Sequence, residues 1–141
     1  MSNLFQSGIG LAPFLQVQHH ASTTPTSVTL TSWASTDCNV TITPVLSTSK
    51  FLILVTGVLA GWNGFATIFR NSTNLLNSNY GQAAAINDNS KWTTNNLMVL
   101  DTPATGAAIT YEVRIRTSNG GNSVLWGGLS THTMTVFELQ S

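Results

Sequence analysis

Charge is what this sequence has least of. Asp, Glu, Lys and Arg make up 7% of its 141 residues, five acidic against five basic, where a typical globular chain carries about a quarter. A net charge of zero supplies no long-range pull on a polyanion, so neither nucleic acid nor an anionic membrane is expected as a partner. The same neutrality removes the repulsion that keeps monomers apart, which suits a chain that builds larger assemblies. Cysteine is nearly missing too. Cys38 stands alone, which rules out an intrachain disulfide and a thiolate metal cluster and leaves a small buried hydrophobe as the default reading. A long apolar run is also lacking. The longest, residues 51–60, is interrupted at Thr56 and Gly57 and has about half the length that spans a bilayer. The opening MSNLFQSGIGLAPF carries neither a basic n-region nor a long h-region, so no export signal and no membrane insertion are expected. Helical periodicity is absent as well; the Ala cluster in GQAAAIND is bracketed by Gly and Asn and suits no more than a turn.

In place of charge the chain has neutral polar residues, Asn, Ser and Thr making up 49 of 141. This mixture suits strands with Thr on one face and Val, Ile, Leu or Phe on the other. In ITYEVRIRT, Ile109, Tyr111, Val113 and Ile115 alternate with Thr110, Glu112, Arg114 and Arg116, the period of a half-buried strand. CNVTIT, SVTLTSW and FLQVQHH carry the same signal. The clusters STTPTS, GWNG, RNSTN, NDNS, DTPATG and SNGGNS punctuate them, and short strands spaced this way indicate an all-β sandwich or barrel. Two segments do not alternate: residues 50–59 and 134–139 are apolar on both faces. In a two-layer sandwich one face meets the other sheet, and the second needs a cover, naturally a neighbouring subunit. The expected subunit interface is therefore Phe51, Ile53, Val55, Val136 and Phe137. Thr41 to Thr43, ended by Pro44, are expected to partner the strand that follows Lys50. Trp33, Trp62, Trp92 and Trp126 sit beside turns or strand ends, where they suit either an interface or the closed ends of a sandwich.

Four segments carry a family resemblance. ITPVLSTSKFLILVTG, FRNSTNL, LDTPATGAAITYEVRIRTSNGG and TMTVFEL, in that order over residues 26–141, resemble a segment order recurrent in tail-fibre and virion-surface proteins of bacteriophages, notably cyanophages and marine phages. The resemblance implies an antiparallel two-sheet jelly-roll β-sandwich, homotrimeric, akin in architecture to tumour-necrosis-factor-like and complement-type globular heads. The domain is expected over residues 14–141, behind a short arm of residues 1–13. A fibre needs a shaft and an anchor, so a short arm favours a capsid decoration (cement) protein on the outer surface of a virion assembled in the host cytoplasm. Leu4, Phe5, Ile9 and Leu11 of the arm would then grip the major capsid protein or another virion protein. The alternative is a receptor-binding knob of a tail fibre, with Trp62, Asn63, Asn119 and Asn122 in exposed loops meeting a host surface glycan.

Chemical motifs are scarce. There is no His-x-x-x-His, Gly-x-Ser-x-Gly, P-loop or dinucleotide fingerprint, so no catalytic residue, cofactor or metal is assigned and an enzyme is not expected. His19 and His20 point to opposite faces of a strand. Three copies of His132 could meet on a trimer axis around a metal, but a strand-edge or interface histidine is the simpler reading. The five carboxylates, Asp37, Asp88, Asp101, Glu112 and Glu138, offer few pairs for glycosidase chemistry, and Asp101 and Asp88 most simply cap turns. Asn39 and Asn71 open glycosylation triplets that arise by chance in so Thr- and Ser-rich a chain.

Overall fold

The computed structural model describes residues 14–76, 79–84, 88–128 and 130–141. Eleven strands and no helix occur among them: β1 (Phe14–Ser22), β2 (Thr26–Val28), β3 (Ala34–Ile42), β4 (Lys50–Gly61), β5 (Gly64–Arg70), β6 (Thr73–Asn74), β7 (Ala83–Ala84), β8 (Asp88–Asp101), β9 (Ile109–Thr117), β10 (Val124–Trp126) and β11 (His132–Leu139). They form two antiparallel sheets. One runs β1-β11-β4-β10-β2 with β8 on the other side of β4; the other runs β3-β9-β5-β6 with β7 also on β5. The chain is an all-β protein with the layering of a β-sandwich. The expected arm, with Leu4, Phe5, Ile9 and Leu11, lies outside the described residues.

Alternation decides which face each strand buries. Ile109, Tyr111, Val113 and Ile115 on β9 are buried between the sheets and meet Phe51, Ile53, Val55 and Leu59 of β4 and Met134 and Val136 of β11. β4 is the central strand of its sheet, paired with β11 from Lys50 to Thr56 and with β8 along nearly its whole length. Its burial alternates, so the apolar run is two-sided in sequence but not equally buried. Phe51, Ile53, Val55 and Val136 are at most 2% exposed because the opposing sheet of the same chain covers them. This corrects the expected subunit interface at those four positions: a side chain with no surface left cannot contribute area to a neighbour. Phe137 lies on the other face and is half-buried.

Two further expectations change. Residues 41–43 do not partner β4, because β3 belongs to the opposite sheet and pairs with β9. The chain between β3 and β4 crosses from one sheet to the other, and Glu138 captures the crossing by accepting hydrogen bonds from the backbone N–H of Val45 (2.7 Å) and Leu46 (3.2 Å). Of SVTLTSW only Ser27 and Val28 are strand, the end of β2. Beyond it the chain again changes sheets, and Leu30, 53% exposed, gives its carbonyl to Thr117 N–H rather than its side chain to a core.

One polar bridge joins the layers. Arg70 of β5 donates to both carboxylate oxygens of Asp101, at 2.8 and 3.0 Å, and buried Tyr111 of β9 donates its hydroxyl at 2.8 Å. Burial, followed by the bond to Asp101, pushes the Tyr111 hydroxyl far above its usual range. Asp101 therefore ties β8 to the opposite sheet and does not act as the turn cap its DTP context suggests.

Candidate functional site

Three regions of the sandwich carry features that the core does not require. The first is the outer face of the six-stranded sheet. Antiparallel register places Val17, Phe137, Leu52 and Leu100 side by side across β1, β11, β4 and β8, and the next row runs His19, Thr135, Leu54 and Met98. Val17, Leu54, Met98 and Leu100 are between 37% and 59% exposed. Phe14 extends the stripe, its ring centroid 5.4 Å from that of Phe137. Single exposed apolar residues are ordinary, but a contiguous stripe across four strands is a candidate contact surface. At its margin β8 is an edge strand, and Gln82 shields part of it: its side chain accepts from Met98 N–H (2.8 Å) and donates to Met98 carbonyl (3.4 Å), which blunts a row of free backbone groups.

The second lies at the rim where β4 turns into β5. Trp62 N–H donates to Ser123 carbonyl at 3.2 Å, and Ser118 N–H donates to Asn63 carbonyl at 3.0 Å; Asn122 N–H closes the second loop on Asn119 carbonyl at 3.1 Å. These bonds bring Trp62, Asn63, Asn119 and Asn122 to one end of the molecule. Beside them is a cleft of about 330 Å³ lined by Ser27, Ala60, Gly61, Trp92, Ser123 and Leu125. Trp92, Ala60, Leu125 and Ser27 are successive cross-strand neighbours, so the cleft exists because small Ala60 and Gly61 separate two large side chains. Trp92, 42% exposed, is the larger wall. Its sequence signal was only that it is one of four tryptophans near strand ends; which one faces solvent depends on register. Trp126, by contrast, is fully buried.

The third is inside, between the edges of the two sheets. His20 of β1 and His132 of β11 both point inward, and Asp37 of β3 approaches them from the opposite sheet. Their potential ligand atoms all lie within 4.8 Å of one another. His132 Nε2 is 2.8 Å from Asp37 Oδ1. That contact has the length of a hydrogen bond without its direction: neither atom has a hydrogen-bond partner, nor do His132 Nδ1 and His20 Nε2, and all four are buried. Buried nitrogens left this way cost about 1–3 kcal/mol each. Burial of His132 is complete, which corrects its placement at a strand edge or trimer axis. Thr36 and Cys38 face inward by the ordinary alternation of β3; the register of β3 on β9 shifts between Ser35 and Asn39, and within that irregular stretch Asp37 comes toward β1 and β11. Cys38 itself stays out of the group. Burial, reinforced by the Asp37 carboxylate, pushes its thiol up to about 12, so it is neither a nucleophile nor a ready thiolate ligand.

Arg114, Arg116, Glu112 and Glu138 are engaged within the fold. Arg114 pairs with Glu112 and stacks over Phe69, 4.1 Å from the ring centroid. Arg116 lies over Trp33 at 5.1 Å and donates to Thr31 carbonyl at 3.0 Å. Glu138, fully buried, accepts from Gln16 Nε2 at 2.6 Å besides the two backbone donors. Burial alone would raise its carboxyl, but Ser49, Gln16 and the N–H groups of Leu46 and Val45 outweigh that and hold it below the usual range.

No protein-family model and no curated protein matches the sequence.

Proposed function

We propose that this chain is a non-enzymatic virion structural protein, a homotrimeric capsid decoration (cement) protein of a bacteriophage, whose subunits associate through the outer face of the six-stranded sheet. The observation that carries the reading is the exposed apolar stripe from Val17 to Leu100. It answers the demand for a second cover over the two-sided apolar segments, with Leu52, Leu54 and Phe137 as the side chains concerned. Neutral net charge fits assembly by apolar burial rather than by charge pairing. A jelly-roll wrapping is supported by the strand order, in which β1-β11-β4-β8 faces β3-β9-β5-β6. The phage context rests on the segment resemblance, and FRNSTNL, one of its segments, forms the β5–β6 hairpin with Arg70 opposite Thr73. The non-enzymatic reading is supported by the engagement of Asp101, Glu112 and Glu138 in ion pairs and hydrogen bonds that hold the fold.

The test is sedimentation of the purified chain beside a Leu54→Asp, Met98→Asp double variant. The wild type sediments as a trimer and the variant as a folded monomer; a wild type that stays monomeric at micromolar concentration overturns the reading. Immunogold labelling of intact particles then distinguishes shell from tail.

The Trp92 cleft favours a second reading, the fibre knob. An exposed indole with hydroxyls of Ser27 and Ser123 nearby is the chemistry of a sugar-stacking platform. Adsorption of the isolated protein to host cells, lost on Trp92→Ala, would support the knob over the shell protein.

A further inference from the structure

We propose that His20, Asp37 and His132 form a binding site for one zinc ion that ties the edge strand β1 and its neighbour β11 to β3 of the opposite sheet. Three independent observations converge. The ligand atoms come from both layers and lie within 4.8 Å of one another. The atoms that would ligate, His20 Nε2, His132 Nε2 and Asp37 Oδ1, are buried and lack hydrogen-bond partners, although the last two approach to 2.8 Å. And β3 departs from regular register between Ser35 and Asn39, on either side of Asp37; such irregularities re-aim side chains at functional sites.

An ordinary His–Asp pair explains this less well. A histidine buried to pair with a carboxylate aligns its N–H with the oxygen and finds a partner for its second nitrogen. His132 does neither. Its Nδ1 faces Gly127, where a Cβ would stand 2.7 Å away, so the backbone has been kept clear of the ring. The donor set selects the ion. Two imidazole nitrogens and one carboxylate oxygen suit zinc and its transition-metal neighbours, whereas calcium and magnesium take oxygen ligands. Around a tetrahedral zinc, ligand atoms about 2.0–2.1 Å from the metal lie about 3.3 Å apart. The present separations bracket that figure, and small torsions of His20 and Asp37, both partly exposed, bring the three to it. The fourth position then falls to water reaching the site past those two side chains.

The full chain is dialysed against zinc and the bound metal measured, with cobalt as a spectroscopic substitute. One zinc per chain is expected, with the visible bands of tetrahedral cobalt and a zinc-induced rise in unfolding temperature that a chelator reverses. His20→Gln and Asp37→Asn, at partly exposed positions, keep the metal-free protein folded and weaken zinc binding more than about tenfold. His19→Gln, on the outer face of the same strand, leaves binding unchanged. Failure to retain zinc overturns the proposal, as does zinc held equally well by all three variants, or held by wild type and lost in His19→Gln. Lower unfolding temperatures in the variants without any zinc effect would identify an ordinary ion pair and also overturn it.

Discussion

At the scale of single residues, Gly57 shows how tightly the core is specified. It lies on the inward face of β4, and a Cβ there would stand 2.3 Å from the ring of Trp126. The indole occupies the space that a side chain at this position would need. Gly57→Ala is expected to destabilise the fold by about 1–3 kcal/mol, the usual cost of overpacking, seen as an earlier denaturation midpoint with unchanged slope. Cys38 gives a second expectation. With its thiol buried and held up at about 12, it should resist alkylation at neutral pH in the folded protein and react stoichiometrically in denaturant; rapid labelling of the native protein would contradict its described environment. Its burial was legible in the sequence as the default for a lone cysteine. The neighbouring Asp37 was not, because its role depends on a local register shift in β3 that no spacing rule announces.

Elements come next, and β11 shows how one side chain organises several. Glu138 binds β1 through Gln16 and holds the β3-to-β4 crossing through Val45 and Leu46. Because its carboxyl titrates lower in the folded chain than in the unfolded one, the ionised form contributes stability above the unfolded value near 4.5. That contribution fades as pH falls through the folded value. Glu138→Gln should cost about 1–3 kcal/mol at pH 7, and its thermal midpoint should fall less steeply than that of wild type as the solution is acidified below about pH 4.5. Strands with clean alternation were legible: β9 spans the ITYEVRIRT segment, and its four apolar positions are buried. The SVTLTSW and TITPVL segments were misread for a common reason. Alternation reports which residues suit a pleated surface, but not the point at which a chain leaves one sheet for the other, and both segments contain such a crossing.

For the whole molecule, the sequence's scarcity of charge becomes a statement about its outer face. The proposed association through Leu54, Met98 and Leu100 would involve few charges, so the assembly should be nearly insensitive to ionic strength. Sedimentation at about 0.05 and 0.5 M salt, where electrostatic screening differs severalfold, is expected to give the same species, and calorimetric dilution should show the heat-capacity signature of apolar burial. The class of the fold was legible from composition and periodicity. The identity of the covered side chains was not, because two-sided apolar strands give no sign of which side faces inward. The β1–β11 pair adds a mechanical consequence. Phe14 stands opposite Leu139, and Leu139 opposite Lys50, so both ends of the described fold emerge at one rim while Trp62 and Asn119 occupy the other. A pull between residues 14 and 139 would open the β1–β11 ladder one hydrogen bond at a time, like a zipper. A tether attached at either end would instead leave the far rim facing outward and the ladder under no load.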